Sequence, residues 1–276
     1  MKILGIEVDE VNRQEAIEKI SGWVGGKGSL KHVVTIYSEF LLAAEEDKDF
    51  RRAVEKADLV VPDGVGVLAA MEYGRRVNLY GSRIKCGMTV GGMGLRGELG
   101  EPVTGVWLFE ELVRLAAEKD WKVFLLGGFG DTVERLARKL HVKGPTLDIG
   151  WDAGEPRLTF AKAKLGRVNR KNERVVEKIN RYKPDLLMVA YGPVSQEKWI
   201  YENKKKLKVK VAIGVGGTFN EVLGEFARAP KWMEKRGLKA VWRLLVQPKR
   251  LPRIFRAMVV FPWRIYIDSC LRRNDE

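Results

Sequence analysis

Short apolar runs alternate with longer amphipathic stretches over most of the chain. The apolar runs are hydrophobic throughout, which is typical of strands buried on both faces of a parallel sheet. The stretches between them place apolar residues three and four positions apart, which predicts helices. The pattern therefore predicts an α/β protein with a Rossmann-like, mostly parallel sheet and helices on both faces. The predicted strands cover residues 30–36, 58–61, 121–126, 185–191 and 209–215, and the predicted helices 38–56, 108–118, 132–140, 174–181, 196–207 and 219–226.

The last part of the chain follows a different pattern. Between Arg228 and Arg264 there are eleven Lys or Arg residues and one acid, a net charge of +10 where the whole chain carries +14. Trp232, Trp242 and Phe261 are among the large apolar residues interleaved with these charges at helical spacing. A basic helix with an apolar face binds to anionic membrane surfaces. We therefore divide the chain into an α/β domain at 1–227, a basic amphipathic membrane-associating appendage at 228–267 and a tail at 268–276.

One segment inside the α/β domain breaks the alternation. Residues 78–100 are rich in glycine and show little periodicity. We interpret them as an insertion between two helices, with no role in the chemistry.

Composition narrows the classes of protein that the chain can belong to. Its cysteines, Cys86 and Cys270, and its histidines, His32 and His141, have no metal-ligand spacing, so we expect no metal centre. We find neither a signal-peptide pattern nor an apolar run of about 18 residues. We therefore expect a cytoplasmic protein, peripheral on the inner face of the cell membrane. A pI of about 9.7 also allows a nucleic-acid-binding protein, an alternative that the apolar character of the basic segment disfavours.

Three predicted strands end in glycine-rich loops. Glycine at the carboxyl end of a parallel strand lets backbone N–H groups approach a phosphate. The same glycines also suit an ordinary tight turn from strand to helix, so both interpretations stay open for each loop. None of the loops has the G-x-G-x-x-G or Walker A pattern, which argues against a nicotinamide enzyme. The candidate binding residues here are Gly64, Gly127, Gly128, Gly216, Gly217 and Thr218.

Polar residues next to the strand ends are the candidates for chemistry. Asp63 follows an apolar strand and a proline, where a partly desolvated carboxylate can act as a general base. An equally ordinary role for it is to cap the next helix. Thr35 and Tyr37 end another strand, and Gln196 and Glu197 open a helix after a Gly-Pro pair, so all four are candidates for contact with a ligand. A helix N-terminus also favours Glu for its charge alone.

The arginines of the appendage are spaced so that several share one helix face. Guanidinium groups bind phosphate oxygens in pairs, which suits a lipid diphosphate. A solvated basic face is the alternative, although such a face needs no interleaved tryptophan. The candidate residues are Arg228, Arg243, Arg250, Arg253 and Arg256.

Nine motifs in this order resemble the WecG/TagA/CpsF glycosyltransferases (glycosyltransferase family 26), and together they cover nearly the whole chain. They are ADLVVPDGVG at 57–66, VFLLGG at 123–128, KPDLL at 183–187, YGPVSQEKW at 191–199, VGGTF at 215–219, RAPKW at 228–232, WRL at 242–244, PKR at 248–250 and VVFPWR at 259–264.

The resemblance implies an inverting hexosyltransferase that needs neither a metal nor a cofactor. Family members move N-acetylmannosamine, or a related sugar, from a UDP donor to GlcNAc on undecaprenyl diphosphate, for teichoic acid and other cell-surface polysaccharides. By resemblance Asp63 is the general base, and Thr35 and Gln196 are polar active-site residues. The C-terminal arginines would complete the site beside the lipid diphosphate, at an anionic membrane surface. No nucleic acid is expected as a partner.

The chain departs from the family pattern at several positions. Tyr37 stands where the family usually has Asn, Pro102 where it has Arg, and Trp107 where it has Asp. Val194 and Ser195 replace a Pro-Lys pair, and Asn220 a common Asp. A paralogue that binds nucleotide sugar or lipid without turnover is therefore the alternative function. The sequence also leaves open whether the chain works as a monomer or a homo-oligomer.

Overall fold

The strands of the fold form one large sheet and one short hairpin. A computed structural model describes residues 1–80, 101–154, 170–225 and 251–274, together with residues 230, 232, 233 and 242. Strands β3 to β8 form a fully parallel sheet in the order β4-β3-β8-β7-β5-β6, and β1 pairs with β2 in an antiparallel hairpin. The strands are β1 (Lys2–Ile3), β2 (Ile6–Glu7), β3 (Lys31–Ile36), β4 (Leu59–Pro62), β5 (Val123–Gly127), β6 (Ile149–Asp152), β7 (Leu186–Ala190) and β8 (Val211–Gly214).

Helices connect these strands and cover both faces of the sheet. Apolar residues of α1, α5, α6 and α9 pack on one face, and those of α2, α3, α4, α7 and α8 on the other. The helices are α1 (Arg13–Gly25), α2 (Ser38–Glu46), α3 (Lys48–Glu55), α4 (Val65–Tyr80), α5 (Gly105–Glu118), α6 (Thr132–Lys143), α7 (Arg170–Tyr182), α8 (Ser195–Asn203) and α9 (Thr218–Leu223).

The Rossmann-like α/β fold predicted from the sequence is confirmed, and each predicted strand lies within a few residues of an observed one. The helix predicted at 38–56 is wrong in one respect, because it is two helices that meet at Asp47. The backbone of Asp47 is extended, and its side chain accepts hydrogen bonds from the N–H groups of Asp49 and Phe50, which starts α3. Helix α4 continues to Tyr80, and residues 81–100 of the predicted insertion lie outside the described residues.

Asp58, just before β4, ties the amino-terminal ends of two strands together. Its carboxylate accepts hydrogen bonds from Lys204 Nζ (2.6 Å), Lys31 Nζ (3.0 Å) and the backbone N–H of His32 (2.9 Å). Burial by itself would raise the pKa of Asp58, but these hydrogen bonds outweigh it and lower the pKa.

The chain ends in a long helical segment that packs beside α2 and α4. We refer to residues 251–274 as the C-terminal helix; it consists of α10 (Leu251–Phe255), a π-helical turn (Arg256–Val260) and α11 (Phe261–Asn274). Pro262 lacks an N–H and would clash with the carbonyl four residues earlier in a regular α-helix, and the wider π turn relieves this conflict. Among the described residues, no helix combines the length and hydropathy needed to span a bilayer.

Candidate active site

The polar and glycine-rich segments lie at the carboxyl edge of the sheet because all six strands run the same way. Strands β3 and β8 are neighbours, yet α2 leaves β3 toward one face and α9 leaves β8 toward the other. Ligands of open α/β sheets bind in the crevice that forms where the helices diverge in this way. Thr35 near the end of β3 and Thr218 just after β8 flank this crevice.

Asp63 lies at the same edge, directly after β4. Its backbone N–H donates to the carbonyl of Ile36 (2.7 Å), which joins the ends of β3 and β4. Its Oδ2 accepts a hydrogen bond from the backbone N–H of Gly105 (3.2 Å), the first residue of α5. The sequence suggested that Asp63 caps the helix that follows it, whereas this bond connects it to α5, 42 residues later. The positive end of the α5 dipole therefore faces the carboxylate.

Gly105 is surrounded by three oxygens that the sequence predicted separately. A Cβ at this position would lie 3.5 Å from Thr35 Oγ1, 3.5 Å from Thr218 Oγ1 and 3.9 Å from Asp63 Oδ2. We call these three oxygen atoms the oxygen trio. The structure thus brings together the proposed base and two hydroxyls from β3, the β4 turn and the β8 loop. Sequence reasoning missed Gly105, although the Thr104 that caps α5 was a usable signal for a helix start there.

Tyr37 lies next to this cluster and connects it to the C-terminal helix. Its ring packs on Phe40, with ring centroids 4.4 Å apart. Burial raises the pKa of the Tyr37 hydroxyl; the positive charge of Arg253 opposes this rise, and the negative charges of Glu39 and Asp63 add to it. Because both Arg253 and Asp63 affect the pKa of Tyr37, Arg253 of the C-terminal helix lies at the rim of the candidate site.

Gln196 and Glu197 are more deeply buried than the sequence suggested. Gln196 is 2% exposed, and its Oε1 accepts from the backbone N–H of Gly216 (2.9 Å). Glu197 was expected at a ligand edge, but its side chain is fully buried and lies 2.6 Å from His32 Nε2. This expectation for Glu197 is corrected, because a carboxylate enclosed beneath the sheet edge does not contact a ligand directly.

The glycines of the strand ends divide into two groups. Gly127 and Gly128 are buried, have positive φ angles and pack against Ala190 and Thr132, which fits a tight turn. Gly64 and Gly216 also have positive φ, and Gly217 is exposed, so the backbone around them is accessible at the edge. A phosphate-binding role for any of these loops stays a prediction.

The described arginines of the C-terminal helix pair with acids of α2. Arg253 forms a two-pronged contact with Glu39 at 2.9 to 3.2 Å, and Arg256 contacts Glu46 at 2.6 Å. Arg264 contacts Glu45 at 2.7 Å. These pairs hold the helix against α2, and the pair with Glu39 in the first turn of α2 places Arg253 beside the site. Arg228, Arg243 and Arg250 lie outside the described residues.

Arg13 lies beside Pro102 and Trp107, two positions at which the chain departs from the family pattern. Arg13, at the start of α1, donates from Nε to the carbonyl of Pro102 (3.1 Å). Its guanidinium also lies over the ring of Trp107, 4.8 Å from the ring centroid. A cation from α1 is therefore present near positions 102 and 107, where the resemblance leads one to expect charged side chains.

Comparison with known proteins identifies the family. A model of the glycosyl transferase WecG/TagA/CpsF family matches residues 1–84 and 86–275. The chain belongs to this family. Within the segment interpreted as an insertion, this WecG/TagA/CpsF match leaves out Lys85 alone, so the proposed domain boundaries stay a prediction.

Relatives of this glycosyltransferase include two proteins of Staphylococcus aureus, from strains NCTC 8325 and COL. Both are named N-acetylglucosaminyldiphosphoundecaprenol N-acetyl-beta-D-mannosaminyltransferase. Each is 25% identical to this chain over 264 residues, which is 95% of this chain and 91% of the relative. The family resemblance expected from the motifs is confirmed.

Proposed function

We propose that this glycosyltransferase moves N-acetylmannosamine, or a related sugar, from a UDP donor to GlcNAc on a polyprenyl diphosphate, with inversion at the transferred carbon. The names of the Staphylococcus aureus relatives state the transfer of N-acetylmannosamine to GlcNAc on undecaprenyl diphosphate, which supports the sugar and the acceptor of the proposal. The oxygen trio is the observation that supports the proposal best, because it places one carboxylate and two hydroxyls together at the crevice where the helices diverge.

Asp63 is the general base in this proposal. Inversion in one step requires the acceptor hydroxyl to attack the face of the donor sugar opposite the leaving diphosphate, and to lose its proton as it does so. The bond from Gly105 orients the carboxylate, and a positioned base contributes about 10²- to 10⁴-fold to the rate. The hydroxyls of Thr35 and Thr218, at the same point, orient the sugar hydroxyls.

The leaving UDP carries charge that the protein has to stabilise. Arg253 is a cation that acts on the Tyr37 hydroxyl, and the charge of Asp63 acts on the same hydroxyl. The exposed backbone at Gly217 supplies a second place where a phosphate fits. We expect this reaction to proceed without a metal, as the resemblance implies.

The C-terminal helix is proposed to bring the site to the membrane that holds the acceptor lipid. One face of the helix packs on the domain through Phe261, which is 2% exposed. Other side chains recur every three or four residues and stay exposed, which is the pattern of a helix lying in a lipid interface. The exposed residues are Leu251, Phe255, Met258, Val259 and Trp263. Because nucleotide sugars are made in the cytoplasm, we place the protein on the inner face of the cell membrane.

A reconstituted assay tests the proposal. The purified full chain is mixed with UDP-N-acetylmannosamine and a short-chain GlcNAc-diphosphate-prenol in anionic vesicles, and UDP release is measured. We expect release only when both substrates are present, and a screen of other UDP sugars covers a related donor. If folded, vesicle-bound protein released UDP with none of the donors, the transferase proposal would be wrong and a binding paralogue would replace it.

A further inference from the structure

A buried acid–imidazole pair lies beneath the candidate site. His32 of β3 and Glu197 of α8 are both completely buried, and His32 Nε2 lies 2.6 Å from Glu197 Oε2. The Nδ1 atom of His32 has no hydrogen-bond partner among the described residues. Burying such a pair costs more free energy than an apolar pair of similar size, so the pair is not explained by stability alone.

The surroundings determine which atom carries the proton. A doubly protonated His32 would leave a buried Nδ1–H without an acceptor, which is unfavourable. The geometry therefore assigns the tautomer with hydrogen on Nε2, which donates to Glu197 Oε2. The other carboxylate oxygen, Oε1, accepts from Gln196 Nε2 at 3.1 Å. Both oxygens of Glu197 act as acceptors.

This arrangement determines the orientation of the Gln196 amide. Because the NH₂ group of Gln196 faces Glu197, its carbonyl oxygen faces the other way and accepts from the backbone N–H of Gly216 (2.9 Å). If the amide were reversed, its NH₂ group would face another donor at Gly216. The pair thus decides whether the Gly216 N–H has an acceptor.

Strand β8, which lies between the His32–Glu197 pair and the Gly216 turn, ends in a residue without a side chain, Gly214. A Cβ at Gly214, the last residue of β8, would lie less than 3.0 Å from both Glu197 Oε1 and Gln196 Nε2. Any larger residue there would displace the network. The absence of a side chain at Gly214 therefore permits the buried network to pass under β8.

The loop held by this network carries one member of the oxygen trio. Gly216 lies inside a turn closed by a hydrogen bond from Thr218 N–H to the carbonyl of Val215 (3.1 Å). Thr218 leaves this turn with its Oγ1 beside Gly105 and Thr35. The connection runs from His32 through Glu197, Gln196 and the Gly216 turn to the site.

We propose that His32 and Glu197 are positioning residues of the transfer reaction, which orient the Gln196 amide and thereby hold the Thr218 hydroxyl in its place beside Gly105, within the oxygen trio. They touch no substrate themselves. The inference rests on the proposed transferase function, because transfer is one of its readouts, but the hydrogen bond from Gly216 N–H to Gln196 does not depend on it.

The test reverses the direction of the hydrogen bonds. In Glu197→Gln the new amide accepts from His32 and donates toward Gln196, which turns the Gln196 amide and leaves Gly216 N–H facing an NH₂ group. We expect kcat to fall about ten- to a hundredfold, the loss that a small misplacement in an active site causes. Exchange of the Gly216 amide hydrogen should become faster. The donor KM should change by less than the fall in kcat.

A double variant supplies the matched control. In Gln196→Glu with Glu197→Gln, a carboxylate at 196 accepts from both the 197 amide and Gly216 N–H, so the loop is held again with the same polar groups. We expect slow Gly216 exchange to return in this double variant, whatever the effect of a carboxylate at position 196 on kcat. A Gly216 amide that exchanges as fast as in Glu197→Gln would overturn the proposal, since Gln196 would then act by another route.

The two proposals fail in different ways. Wild-type transfer with a folded Glu197→Gln variant of equal kcat and equal exchange would remove the positioning role and leave the transferase intact. Conversely, if the wild-type protein transferred no sugar but Gly216 still exchanged faster in Glu197→Gln than in wild type, the transferase proposal would be wrong and the hydrogen-bond network would stand. Should Glu197→Gln not fold, His32→Gln with the same exchange measurement supplies the decision.

Discussion

The carboxyl edge of the sheet and the C-terminal helix are built in opposite ways. At the edge, Thr35 and Thr218 are buried and Glu197 is enclosed, with hydrogen bonds between groups far apart in sequence. On the helix, Phe255 and Trp263 are more than half exposed, and the contacts to α2 are ion pairs at the surface. The first region is suited to precise positioning and the second to contact with something outside the chain.

Pairs of ionisable side chains contribute differently to stability in these two regions. Surface ion pairs such as Arg264–Glu45 contribute only about 0 to 1 kcal/mol, so they hold the helix without fixing it rigidly. A buried pair such as His32–Glu197 is costly to break, because one partner is left buried without the other. Substitutions at the edge should therefore change chemistry, and substitutions on the helix should change location.

The largest effect is expected for Asp63→Asn at the edge. An amide is nearly the same size as the carboxylate but cannot take the proton of the acceptor hydroxyl. Transfer should fall by about 10²- to 10⁴-fold, while UDP binding measured by calorimetry stays within a few-fold of wild type. Transfer at the wild-type rate would remove Asp63 from the role of base.

Gly105→Ala should reduce activity without reducing stability. A methyl group there has room, since its nearest neighbours are at ordinary contact distance, but it occupies the space among the oxygen trio. We expect transfer to fall about ten- to a hundredfold, since reacting groups tolerate only small misplacements. The melting temperature should stay the same or rise, because Ala favours helices over Gly by up to about 1 kcal/mol. A fall in both the transfer rate and the melting temperature would mean that the space beside Gly105 is needed for packing rather than for the substrate.

Truncating the exposed helix face should affect membrane binding alone. Phe255→Ala with Trp263→Ala removes apolar surface that the proposal places in lipid, so affinity for anionic vesicles should fall at least about tenfold. Turnover on a detergent-dispersed acceptor should be unchanged. The matched control is Val142→Ala, an 80% exposed apolar residue on α6, which should leave vesicle binding as it is. Equal vesicle binding by all three proteins would contradict a membrane role for this face.

The smallest effect is expected for Asp58→Asn, at the opposite end of the strands, and concerns how the free energy of unfolding depends on pH. The lowered pKa of Asp58 means that its ionised form stabilises the fold above the unfolded value of about 3.9, and that this contribution is lost as pH falls through the folded pKa. Asp58→Asn should therefore lower the free energy of unfolding by about 1 kcal/mol at pH 7 and by less in acid. Urea titrations at several pH values measure this. A difference that grew as the pH fell would contradict the assignment.

Local patterns in the sequence predicted the parts of the fold that local physics determines. The apolar runs predicted the strands of the large sheet except β6, whose short segment Ile149–Asp152 contains a glycine and a tryptophan that is 37% exposed, and so lacks an apolar run. Helix α1 was also not predicted, although Asn12 and Glu15 form a capping box at its start. The strand order does not follow from alternation, because neighbours such as β3 and β8 are about 180 residues apart in sequence.

The candidate site was predictable only in part for the same reason. Asp63 follows a strand and Thr35 lies near the end of one, so their positions at the sheet edge could be predicted one at a time. Gly105 and His32 could not, because their importance comes from contacts with Asp63 and Glu197, which are 42 and 165 residues away in sequence. Such contacts depend on which strands are neighbours.

The hydrogen bond between Asp63 and Gly105 also closes a long stretch of the chain. Val103 donates to the carbonyl of Pro62 (3.1 Å), so the chain returns to the edge of β4 next to the point where it left. The two ends of the stretch between Asp63 and Val103 are therefore held next to each other at the candidate site. Lengthening such a stretch adds little closure entropy, about 0.6 kcal/mol for each doubling. Because α4 packs into the core through Val67 and Met71, added length is tolerated best between α4 and Val103, where Asp63 would keep its partner Gly105.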